Sequence, residues 1–156
     1  MRRRRGDDGA ALVELAFAIP VLIALVMGII EFGWWFTQDL DVRHAAREAA
    51  RLVAVDYRPD PAGDQVADLV AEVCDRIDDR GGVSITLDLP PASGSADLGE
   101  AGQRVTVTVE KPYDSLTGLF TFIAADTVHS SVVTTRLETD ASWATVAGPL
   151  PPVPCS

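Results

Sequence analysis

The chain has 156 residues and a formal net charge of −10, enough for one modest folded unit, and the charge is unevenly placed. Residues 1 to 9 hold four Arg and two Asp, a sum of +2, so residues 10 to 156 carry −12. An acidic body repels phosphate backbones, which argues against nucleic acid as a partner. With only two cysteines, Cys74 and Cys155, and no Cys-x-x-Cys pair, zinc and thiol redox chemistry are poorly served.

The first element is a basic leader, residues 1 to 9, with Arg2 to Arg5 where positive-inside anchoring puts such charge. It precedes AALVELAFAIPVLIALVMGII, Ala10 to Ile30, whose only charge is Glu14. As a helix this run extends roughly 31 Å, the hydrocarbon thickness of a bilayer. Trp34 and Trp35 follow at the depth of an interfacial aromatic belt. These features predict a single span in the cytoplasmic membrane, N-terminus inside and C-terminus outside, with lipid as a partner. A cleaved secretory signal fits less well, because GIIEFGWWF offers no Ala-x-Ala site.

Within the span, Ala16, Pro20, Ala24 and Gly28 recur every four residues, a spacing that lets a second helix approach closely, although small residues are common in spans for other reasons. Pro20 removes a backbone donor, so loosening near Ala16 is expected. Glu14 needs a reason, since a carboxylate in hydrocarbon costs about 2.5 to 3.5 kcal/mol even on lenient scales. Either it reaches the headgroups or takes a proton, or it has a partner. A cut after Gly9 would free the amine of Ala10 and make Glu14 the fifth residue, placed to meet that amine on a neighbouring subunit.

Beyond the span, good helix formers continue as a stem over residues 31 to 55, with Leu40, Ala45, Ala49, Leu52 and Val53 on one face and Arg43, Arg47 and Arg51 on another. Pro59 and Pro61 break it. A second helix is predicted from Gly63 to Arg80, with Val66, Leu69, Val70, Val73 and Ile77 as its apolar stripe and Gly81 and Gly82 as its stop. Alternation at period two predicts strands at Val83 to Leu89, Val105 to Val109 and Val128 to Leu137. Between the last two, Ser115 to Ala125 reads as a short helix or turn with Leu116, Leu119, Phe120 and Phe122 facing inward. Together these make an α+β head over residues 56 to 147: a small antiparallel sheet packed by a second helix on a long transmembrane helix and its stem. The tail, residues 148 to 156, is too rich in proline for regular structure unless something such as a Cys74 to Cys155 disulfide tethers it; two free thiols stay open.

No constellation for catalysis, metal or cofactor binding emerges, and no small-molecule substrate is implied. His44 and Glu48 share a helical face but lack a second His. His129, Ser130 and Ser131 alternate faces on a strand, with no glycine elbow. Asp75, Asp78 and Asp79 lack the spacing of a calcium loop.

Taken in order, RGDDG-AALVE-LAFAIPVLIALVMGIIEFG, the exit GIIEFG from Gly28 to Gly33 and AAREAAR from Ala45 to Arg51 resemble the TadE-like family, pilin-like proteins of the Flp or tight-adherence pilus system. The resemblance covers about residues 6 to 53. It implies a leader cut by prepilin peptidase after Gly9, Ala10 as the mature N-terminus, and Glu14 as an assembly residue. It also implies partners among other pilins or pseudopilins and the pilus assembly platform, and no enzymatic role. Asp7 and Asp8 depart from a basic leader and bear on the cut. The alternative is a single-pass, membrane-tethered binding or structural protein that is never processed.

Overall fold

A computed structural model describes residues 7–60, 64–77, 81–89, 101–118, 121–124, 126–140, 148–149 and 151–155. Most of the leader, the 90–100 loop, the expected ends of the second helix, and Leu119 and Phe120 lie outside them, as does the side chain of Phe122. The first helix, α1, runs unbroken from Asp7 to Ala54 and carries Pro20 within it. It ends at Ala54, and two residues on Asp56 takes φ 52. There the amide of Asp56 donates to the Val53 carbonyl (3.2 Å) and that of Tyr57 to Leu52 (3.0 Å), the paired closure of a Schellman motif, with aspartate where glycine usually stands. Pro59 lies just beyond.

The second helix, α2, spans Gln65–Cys74 and is capped by Asp64, whose carboxylate accepts from the amides of Val66 and Ala67. Leu69, Val70 and Val73 of the expected stripe are buried, with Cys74 beside them and Val66 half-buried, although the helix ends at Cys74, short of Arg80. Gly82 (φ +72) turns the chain into β1; a Cβ there would meet the Pro112 ring at 3.1 Å.

Strands β1 (Ser84–Leu89), β2 (Arg104–Pro112) and β3 (Val128–Arg136) pair antiparallel, preceded at β3 by a four-residue helix, α3 (Thr121–Ala124). Register places Ile85 opposite Val109 and Leu87 opposite Val107, so one face of the sheet presents Ile85, Leu87, Val105, Val107 and Val109, all buried. The C-terminal third of α1 lies across this face. Ala45, Ala46, Ala49 and Ala50 are all at most 5 % exposed, and their small side chains let the helix axis sit close to the strands. Val42, Leu52 and Val53 complete the layer, and α2 packs against α1. The architecture is thus the expected α+β head on a long helix.

Two expectations, on Leu116 and Leu40, need correction; the tail meets its condition, being tethered by a Cys74 to Cys155 disulfide, and is partly regular: β4 (Gly148–Pro149) and β5 (Val153–Pro154) both pair with β1. Proline, lacking an N–H, is tolerated in such outermost strands, and the amide of Cys155 donates to the Val83 carbonyl (2.9 Å). Leu116 faces outward, 54 % exposed, because its neighbours turn their polar groups onto α1. Leu40 is also largely exposed.

Candidate functional site

The chain divides α1 into two environments. From Gly9 to Val26 every side chain is exposed, including Glu14, Ala16, Pro20 and Ala24. Nothing inside the chain requires Gly28 to be small, because an added Cβ would meet no atom within 4 Å; the same holds for Gly9. An apolar helix left bare in this way must be covered by something other than its own head. Gly9 and Ala10 lie inside the helical run, not in an extended segment.

The second environment begins one residue past the span. Glu31 is only 3 % exposed, a carboxylate folded under the head. Tyr113 Oη donates to its Oε1 (2.5 Å) and Ser115 Oγ donates to the same oxygen; the amide and hydroxyl of Thr117 donate to Oε2 (3.1 and 2.8 Å). The segment after β2 is therefore wound round one side chain of α1. Hydrogen bonds from Ser115, Tyr113 and Thr117 outweigh burial and hold the Glu31 carboxyl at about 2, well below the usual carboxylate range. One and two turns on, Trp34 Nε1 donates to the Asp114 carbonyl (2.9 Å), while Gln38 gives and takes a hydrogen bond with the Asp114 backbone (2.7 and 3.2 Å). Gln38 is buried as well.

Trp35 turns the other way, its ring 5.1 Å from that of His129, with Tyr113 on the second side at 6.0 Å. His129 Nδ1 lies 3.8 Å from Asp39 Oδ1, and its buried Nε2 has no hydrogen-bond partner. Burial pushes its imidazole below the ordinary value of 6.5; Asp39 opposes this and Lys111 adds to it. Ser130 is exposed on the opposite face, so His129 cannot activate it. Glu48 is engaged by Arg76 (2.5 Å) and Arg51 (3.5 Å), not by His44. Among the described residues no group of His, Cys, Asp or Glu is arranged to hold a metal ion.

At the far end of the head, Cys74 of α2 and Cys155 of the tail form a disulfide, Cα to Cα 5.6 Å, that closes 81 residues of chain. It pins the tail beside α2 and across the edge of β1.

The sequence reading singled out Trp34 and Trp35 for the membrane interface; both also touch the head. It passed over Glu31 as the end of an apolar run, and over Gln38. The signal was present: a carboxylate within GIIEFG, and a Tyr113-Asp-Ser-Leu-Thr117 segment with three hydroxyls at every second position.

Fold and site together define a disulfide-closed α+β head clamped to one N-terminal helix that is long and apolar enough to cross a membrane. Residues 9–51 match the family described as TadE-like protein, a match confined to α1. No curated protein and no solved structure matches the chain.

Proposed function

We propose that the protein is a minor pilin or pseudopilin of a tight-adherence pilus, held in the cytoplasmic membrane by residues 10 to 30 and assembled with other pilins by packing of that helix. The observation that carries this reading is the bare apolar rod from Gly9 to Val26, which falls within the TadE-like match and holds a single acid, Glu14. Prepilin peptidase cuts after Gly9, and the freed amine of Ala10 on one subunit meets Glu14 on the next. That pair sets register, while apolar contact through the row of Ala16, Pro20, Ala24 and Gly28 supplies most of the attraction. Arg2 to Arg5 keep the leader inside, and the acidic head faces out, where an oxidising compartment sustains the Cys74 to Cys155 bond.

A second reading, an unprocessed membrane-tethered module, is favoured by one feature: the bond after Gly9 lies in helix, which must unwind before a peptidase can act. N-terminal sequencing of the detergent-extracted protein decides between them. A chain beginning at Ala10 is expected, and an intact leader would put the tethered module first. Glu14→Ala should still insert but co-purify poorly with pilus components; recovery equal to the parent's would refute the pairing.

A further inference from the structure

The head segment that grips Glu31 sits unusually low on α1. Ser115 and Thr117 bind the first side chain beyond the span, and Tyr113 and Ala124 form the head wall of a cavity of about 290 Å3 whose helix wall includes Gly28, Phe32 and Trp35. Gly28 lies about 4.5 Å nearer the bilayer centre than Glu31, at 1.5 Å per residue. The head therefore reaches down to Glu31, the first residue beyond residues 10 to 30, and the groove continues below it to Gly28. The headgroup layer beyond the hydrocarbon is about 5 to 7 Å thick on each side, so Tyr113 to Gly118 cannot stand clear of it.

We infer that the segment Tyr113 to Gly118, with Ala124, is a second membrane contact, in which Leu116 enters the outer leaflet and lipid acyl chains fill the groove between the segment and α1. This rests on the reading that residues 10 to 30 span the bilayer. Leu116 is 54 % exposed, and Phe32 is 64 % exposed even with the Trp35 and Phe36 rings beside it. Gly118, at φ +71, closes the turn that throws Leu116 outward. The groove is continuous with the bare rod, so the medium that covers residues 9 to 26 also covers its lower lip. A second copy reaches this groove only on assembly through Gly28; in the unassembled subunit the rod and the groove that continues it face lipid.

The test places one environment-sensitive fluorophore at a time on the full-length chain in phosphatidylcholine vesicles, at Leu116→Cys, at Leu22→Cys in the rod and at Val132→Cys on the outer face of the sheet. The native cysteines are paired and do not take the label. Phospholipids brominated deep or shallow in the acyl chain quench from the membrane side, and iodide quenches from water. The expected result is deep quenching at residue 22, shallow quenching at residue 116 several times that at residue 132, and loss of the signal at 116, but not at 22, on adding Glu31→Gln. If 22 is quenched while 116 answers to iodide as 132 does, the segment lies in water and the inference fails although the span stands. If 116 is shielded from both quenchers, a second copy covers it and the inference fails too. Absence of quenching at 22 removes the span and this inference with it.

Discussion

Glu31 shows how much one side chain can fix. As a carboxylate it accepts from two hydroxyls, a phenol and an amide at once; as Glu31→Gln it keeps a single acceptor oxygen and gains donors that face other donors. The segment from Tyr113 to Thr117 should loosen in that variant, seen as faster hydrogen exchange at the Thr117 amide with Val107 unchanged. The pH dependence follows from its depressed pKa. The stabilisation is complete above the unfolded value of 4.5, declines as pH falls from there, and is gone once pH has fallen through about 2, below which the carboxylate itself takes a proton. His129 behaves differently. Its pKa is lowered by burial, so below 6.5 the unfolded chain takes up a proton that the folded chain resists, and stability declines from there until the folded pKa is passed. The groups facing it are Asp39 on α1, Lys111 on β2, and the Trp35 and Tyr113 rings. Thermal melts taken stepwise from pH 8 to 5 should show a falling midpoint in the parent and a flatter profile in His129→Gln. A midpoint that rises on acidification would mean that Asp39, not burial, governs the ring.

At the scale of elements, α1 is one helix serving two media. Ala16 and Ala49 look alike in the sequence, yet Ala49 is fully buried against the sheet while Ala16 is bare. Ala49→Leu should cost about 1 to 3 kcal/mol by overpacking, and Ala16→Leu should leave the melt of the head unchanged, as denaturant titration in detergent would show. Local pattern made most of this fold legible. Alternation at Val105, Val107 and Val109, and helical spacing at Leu69, Val70 and Val73, are properties of neighbours in sequence, and the sheet and α2 follow from them. What stayed hidden is long-range: Glu31 meets Thr117 across 86 residues, and Val153 finds Ile85 only because Cys155 is bonded to Cys74. Leu116 was misread for the same reason, since periodicity cannot tell that its flanking hydroxyls belong to a distant helix. The disulfide carries its own prediction. Replacing Cys74 and Cys155 by Ala frees a long loop in the unfolded chain and should lower stability by about 2 to 5 kcal/mol, with β5 the first element to lose exchange protection.

For the whole molecule, the geometry says where a soluble piece of this protein begins. The stem is not a stalk beneath the head: Val42, Ala45, Ala46, Ala49, Ala50, Leu52 and Val53 are part of the same buried cluster as Ile85, Leu87 and Val107. The bare rod, by contrast, gives the head no covered side chain before Met27. A chain starting at Glu31 keeps the clamp and the full core while losing the span, and is expected to be soluble without detergent and to melt in one cooperative step. A chain starting at Asp56 exposes one entire face of a small antiparallel sheet, with only α2 and the disulfide left to cover it. Such a sheet has too little apolar burial to offset the entropy of ordering it, so this fragment should aggregate or show no sharp transition. Circular dichroism melts of the two fragments separate the possibilities. Should the shorter piece melt as sharply and as high as the longer one, α1 would be a handle and not a layer of the core.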